Sequence, residues 1–216
     1  NQPALLRVDH PATGSVRIDW YDAPVSGSLL ATGQVLVTPP LSQPSTFFAE
    51  AIFTQPVGLP SKNAGENILF DTADIGLVFD VHATLTIKSL KVFAEQTGLR
   101  QFKLQDAAGE TIDSDILNVT EIGENRIAVN WTLPPSQGYR LVKGAGKPLY
   151  LNTTGANFPY SIPDVLDITG TTGGAAANEA WYFFYDWEID YEEPCGRIPV
   201  SVDVVPAGNL PAVSFS

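Results

Sequence analysis

Apolar and polar residues alternate along most of this chain in short runs. Val16-Ile18-Trp20, Phe102-Leu104, Ile127-Val129-Trp131-Leu133 and Ile198-Val200-Val202-Val204 are each spaced two residues apart. A period of two puts each set on one face of an extended strand and the intervening residues on the other. Gly, Pro, Asn and Asp punctuate the runs about every 8 to 12 residues, as in sandwiches and barrels, so the expected fold class is all-β. In Leu85-Thr86-Ile87-Lys88-Ser89-Leu90-Lys91-Val92 the apolar phase slips by one residue around Ser89. A slip of one turns a strand inside out unless an extra residue is absorbed, so a β-bulge is predicted there. The strongest run, residues 181–191, predicts one long strand. Its odd positions, Trp181, Phe183, Tyr185, Trp187, Ile189 and Tyr191, form an apolar face, while its even positions pass from Tyr182 and Phe184 to Asp186, Glu188 and Asp190.

The runs fall into two groups that divide near residue 55. Residues 1–55 read as a few short strands with turns at 12–14, 25–27 and Pro39-Pro40, too few to close a sandwich. Residues 56–192 carry about nine strand-like runs, enough for a double-sheet jelly roll. The run at 197–205 follows a Pro194-Cys195-Gly196 break and fits either group. Residues 170–177, rich in Gly, Thr and Ala, read as a mobile loop.

Charge and composition then remove whole classes of function. With 24 acidic and 12 basic residues the chain carries a net charge of −12, which repels phosphate backbones and anionic lipid, so no nucleic-acid partner is expected. Membrane insertion is not expected either, because no apolar run approaches the roughly 18 residues a spanning helix needs. One cysteine and two histidines, His10 and His82, cannot supply a Cys/His zinc site. The absence of methionine from 216 residues leads us to expect a module cut or processed from a longer chain, with neighbouring domains on it.

Two stretches resemble a known family. Ile18-Asp19-Trp20-Tyr21-Asp22-Ala23-Pro24-Val25-Ser26-Gly27-Ser28-Leu29-Leu30-Ala31-Thr32-Gly33, with Val37-Thr38-Pro39-Pro40 and Phe47-Phe48-Ala49-Glu50-Ala51, resembles an Ig-like module of large secreted surface proteins and adhesins of Bacteroidetes-type bacteria. That module usually ends in a Cys followed by an Arg-x-Pro-Val strand. Cys195-Gly196-Arg197-Ile198-Pro199-Val200 looks like this ending, displaced far downstream. The resemblance therefore implies an Ig-like β-sandwich, residues 1–55 plus 195–216, split by an inserted jelly-roll β-sandwich, residues 56–194. It also implies an extracellular or cell-surface location. The family's cysteine pairs with one near the start of its module; none exists here, which leaves Cys195 free or bonded outside this chain.

Candidate chemistry concentrates at 181–192. On one reading the odd face is core and the even face simply solvated. On the other, Asp186 and Glu188 bind sugar hydroxyls while Tyr182 or Phe184 stacks on a pyranose, with Asn130 and Lys103 on neighbouring strands completing a ligand face. Glu188-Ile189-Asp190-Tyr191-Glu192 also resembles the carboxylate core of laminarinase-like glycoside hydrolases, in which Glu188 would be nucleophile, Glu192 acid/base and Asp190 the residue that tunes them. No cofactor is expected, apart from a structural calcium that Asp71, Asp74 and Asp80 could bind with Asp164 or Asp167. The leading expectation is a non-catalytic adhesion or carbohydrate-binding module whose partner is a glycan or another surface protein. The alternative is a structural spacer or self-assembling surface-filament subunit; a glycoside hydrolase is a minor one.

Overall fold

The computed structural model describes residues 2–9, 16–192 and 196–204. Among these the chain is nearly all β and forms no α-helix. In chain order the strands are β1 (Leu5–Arg7), β2 (Val16–Tyr21), β3 (Leu29–Thr32), β4 (Val35–Val37), β5 (Ser45–Val57), β6 (Asn67–Phe70), β7 (Ile75–Val81), β8 (Leu85–Ala94) and β9 (Gly98–Gln105). They continue with β10 (Thr111–Val119), β11 (Gly123–Leu133), β12 (Ser136–Gly146), β13 (Leu149–Asn152), β14 (Tyr160–Ile162), β15 (Leu166–Thr171), β16 (Tyr185–Glu192) and β17 (Ile198–Val202). The chain separates into two compact units, one of residues 1–53 with 192–216 and one of residues 54–191.

In the first unit β5 is central, paired antiparallel with β2 on one side and with β17 on the other, from Ile198↔Ala49 to Val202↔Ser45. The run at 197–205, which alternation alone leaves open and the resemblance assigns to the Ig-like module, supplies strand β17 to the first unit. β3 extends the sheet beyond β2, and β1 pairs with β4. Ile18, Trp20, Leu36, Phe47 and Ala49 fill the core. The Trp20 indole N–H donates to the Gly33 carbonyl at 2.9 Å; Gly33, at φ +115°, takes a conformation that a side chain would strain. The predicted turn at 12–14, and His10 and Cys195, lie outside the described residues.

The second unit is a sandwich. A six-stranded antiparallel sheet in the order β10-β9-β12-β7-β15-β14 packs on a sheet containing β11-β8-β16. Aromatic side chains join the layers: Phe79 of β7 meets Trp187 of β16 edge-on at 5.2 Å, and Phe102 of β9 meets Phe184 at 5.1 Å. Strand β11 alternates without a break from Asn125 to Leu133, with Ile127, Val129, Trp131 and Leu133 inward.

The predicted bulge forms around Ser89, where Ser89 and Leu90 are both buried. Against β16 the register steps from Glu188↔Ser89 to Ile189↔Ile87, leaving Lys88 as the extra residue. Against β11 it steps from Ala128↔Ser89 to Trp131↔Ile87, so the second partner carries an extra residue of its own. Asn130 lies there at φ +54°, a left-handed conformation asparagine tolerates.

Candidate functional site

The strand predicted over 181–191 begins only at Tyr185. Before it the chain turns: the Phe184 N–H donates to the Tyr182 carbonyl at 2.7 Å, with Phe183 at φ +61°. Asp186, at φ +43°, adds a second left-handed residue at the register shift where β16 meets β8. Two such residues break the alternation, so Phe183 and Phe184 both point inward and are fully buried. The turn is pinned from both sides, because the indole N–H groups of Trp181 and Trp187 each donate to the Phe184 carbonyl at 2.8 Å. Phe184 is therefore core and offers no ring to a sugar, which corrects its expected role. Tyr182 is half-buried and packs on the core, with its hydroxyl 2.9 Å from where a Cβ on Gly173 would lie.

From Asp186 onward the even positions do reach the outer face of the β11-β8-β16 sheet, where they meet cations and hydroxyls. Asp186 is ion-paired with Arg126, which also donates to the Asp186 carbonyl at 2.5 Å, and with Lys91 at 3.2 Å. Lys91 bridges on to Glu124 at 3.0 Å. Partial desolvation opposes the Lys91 ammonium, but Glu124 and Asp186 outweigh it and hold its pKa above the ordinary lysine value. Ser89 donates a short hydrogen bond to Glu188. Asp190 accepts from Thr54 at 2.5 Å and lies 3.6 Å from Lys88. Asn130 is exposed on the same face. Lys103 is not there: its neighbours Phe102 and Leu104 face the core from β9, so Lys103 lies on the outside of the other sheet, 2.8 Å from Asp74. Of the six residues expected to form one ligand face, Asp186, Glu188 and Asn130 share the outer face of this sheet, Phe184 is core, Tyr182 packs against the core and Lys103 lies on the opposite sheet.

The carboxylates of the glycosidase-like motif are similarly engaged. Glu188 and Asp190 hold hydrogen bonds from Ser89 and Thr54, whereas Glu192 belongs to the first unit. Burial and the neighbouring Glu50 carboxyl push the Glu192 pKa up, against the Arg197 guanidinium. The aspartates considered for calcium do not converge. Asp71 pairs with Lys143 at 3.1 Å, Asp74 with Lys103, and Asp167 with His82 at 2.8 Å, while Asp80 accepts from the Gly138 N–H at 2.7 Å. No cluster of three or more His, Cys, Asp or Glu with metal-holding geometry occurs among the described residues.

A concave site lies elsewhere in the second unit, at residues the sequence reading passed over. Phe158, between β13 and β14, stacks on the buried Trp181 ring at 5.5 Å and 12°, and Tyr160 meets Trp181 edge-on at 4.9 Å. Backbone bonds hold the surrounding loops: Ala156 N–H donates to the Glu179 carbonyl at 2.9 Å, and Asn157 N–H to the Tyr160 hydroxyl at 3.1 Å. Two adjoining cavities, about 420 and 290 Å³, share Phe158 and Asn178 as walls. The larger is completed by Gly155, Asn157 and Glu179, the smaller by Thr169, Gly170 and Gly174 among others. The sequence signal was there in Phe158-Pro159-Tyr160 and the glycines of 170–174: an aromatic ring beside residues too small to cover it.

Two compact β units, the second of them a sandwich, place the described residues in the all-β class. Residues 1–56 match the family described as "Ig-like domain CHU_C associated", which supports an Ig-like module in this part of the chain; that family is found in surface and secreted proteins of Bacteroidetes and is typically non-catalytic. No curated protein matches the chain. Among solved structures, the Gt strain of infectious bursal disease virus is similar over 91% of this chain and 61% of that one, at 10% identity and a TM-score of 0.25. A mutant VP2 protein of infectious bursal disease virus, in derived T=1 particles, is similar over 95% of this chain and 63% of that one, at 12% identity and a TM-score of 0.19. The chain spans about three fifths of the length of these two chains.

Proposed function

We propose that the chain is a non-catalytic adhesion module of an extracellular, cell-surface protein, with carbohydrate as its ligand class. In this reading the Ig-like domain of residues 1–55 and 195–216 carries the jelly-roll domain of residues 56–194 as an insert. One observation carries it: β17 pairs with β5, although the whole second unit lies between them in sequence. A domain inserted between two adjacent strands leaves its host sheet intact, and surface loops tolerate such insertion. The arrangement suits display of the insert toward a glycan or another surface protein, with neighbouring domains of a longer chain behind it. The intact protein on a broad glycan array and on whole cells tests the reading. Selective binding supports it; an empty array together with no cell binding overturns it.

The second reading, a structural spacer or self-assembling surface subunit, is favoured by the outer face around Asp186, where ion pairs take the place of the exposed aromatic rings a ligand face would need. Sedimentation across a wide concentration range tests it. Association that grows with concentration supports homo-assembly, and a monomer throughout removes it.

A further inference from the structure

We infer that the double cleft at Phe158 and Asn178 binds a neutral hexopyranose disaccharide, one sugar ring on each side of the divide these two residues make. The inference rests on the carbohydrate-binding reading above and names its site. Trp181 covers one face of Phe158 and fixes it, so the ring meets the cavities already ordered and loses little side-chain freedom on binding. A pyranose offers an apolar C–H face to such a ring and a rim of hydroxyls around it.

The rim of the cleft answers those hydroxyls. The side chains of Asn157, Asn178 and Glu179 hold no partner among the described residues, and they supply amide donors together with amide and carboxylate acceptors. A purely apolar ligand would strip water from these groups without replacing its hydrogen bonds. Uronate or sulfated sugars are disfavoured by the Glu179 carboxylate and by the net charge of −12. Size agrees as well, because the two cavities together lie within the roughly 300–1,000 Å³ of small-ligand sites. Gly170 and Gly174 keep the smaller cavity open: a Cβ added at either meets nothing within 4 Å.

That openness supplies a clean probe. Gly170 in β15 has no left-handed φ, so Gly170→Val adds bulk to the cavity without straining the strand. Asn178→Ala removes a rim amide that supports nothing else, and Phe158→Ala removes the platform. The intact protein is titrated by calorimetry with cellobiose, laminaribiose, maltose and diacetylchitobiose, and in parallel screened on a broad glycan array. At least one disaccharide is expected to bind, about tenfold more tightly than its monosaccharide. Gly170→Val and Asn178→Ala should each weaken it about threefold or more with unchanged melting temperature. Equal binding by wild type and all three variants overturns the site and leaves the adhesion reading standing. So does an array positive only for charged glycans with none of the four disaccharides bound. An empty array with no disaccharide bound overturns the site, and overturns the adhesion reading as well when whole cells also go unbound.

Discussion

Arg100 is fully buried, and its guanidinium spans three backbone carbonyls rather than forming an ion pair within 4 Å with any carboxylate among the described residues. It donates to Gly98 at 2.7 Å, to Gln96 at 2.6 Å and to Pro148 at 3.1 Å, gathering the approach to β9 and the β12–β13 connection around one side chain. Burial lowers its pKa, with Asp71 opposing, yet a guanidinium stays charged. Arg100→Met keeps the bulk and removes every donor. Gln96 is exposed, so its carbonyl can turn to water, whereas Gly98 and Pro148 are half-buried and keep theirs poorly hydrated. At about 1–3 kcal/mol for each unsatisfied buried group, these two cost about 2–6 kcal/mol. Relief of the buried cation's desolvation offsets part of that, leaving a net loss of about 1–4 kcal/mol. Urea unfolding followed by tryptophan fluorescence reads it, because Trp131, Trp181 and Trp187 all lie in the second unit and only Trp20 in the first. The midpoint should fall with little change in slope. Arg100→Lys should fall between the two, since one ammonium cannot fork across three carbonyls. An Arg100→Met protein as stable as wild type would refute the reasoning, by showing that the carbonyls hydrate freely once the cation is gone.

Three further outcomes follow from the charged groups. Glu192 titrates above the ordinary glutamate value of 4.5 in the folded chain, so the stability it contributes is full below that pH and lost as pH rises through the folded value; the urea midpoint of Glu192→Gln relative to wild type should therefore increase with pH above 4.5. Asp167 behaves oppositely: hydrogen bonds from Ser161 and then His82 lower its pKa below the ordinary 3.8, so its contribution is present above that value and fades as pH falls, and Asp167→Asn should flatten the acid limb of a pH–stability curve. A double-mutant cycle on Arg126 and Asp186, both partly exposed, should give a coupling of about 0.5–1 kcal/mol in urea unfolding, and a value indistinguishable from zero would remove the ion pair as a stabilising feature.

Where one face of a strand is buried and the other wet, the fold was legible from the sequence. β11 keeps strict alternation from Asn125 to Leu133, and there the period of two translates directly into burial. The phase slip at Ser89 was legible for the same reason, since a buried face makes register errors costly. The aromatic run failed where backbone conformation departs from extended. Nothing in Phe183-Phe184 marks a left-handed residue, and only the folded core, with two indoles meeting on one carbonyl, holds that turn in place.

The same distinction explains why the candidate site moved. Asp186, Glu188 and Asp190 attracted notice because acids crowd there, yet a sheet brings cations from adjacent strands to the same face. Lys91, Arg126 and Lys88, dispersed along the sequence, become their partners once β8, β11 and β16 pair. Local charge density is a poor guide on a sheet, because strand pairing decides what each charge faces. Concavity follows the opposite logic. The cleft at Phe158 is assembled from β7, β15 and the loops around 155–158 and 174–179, so no single stretch of sequence announces it. What identifies it in the fold is a half-buried ring with small neighbours and a polar rim left without partners, a combination that an ordinary solvated surface has no reason to build.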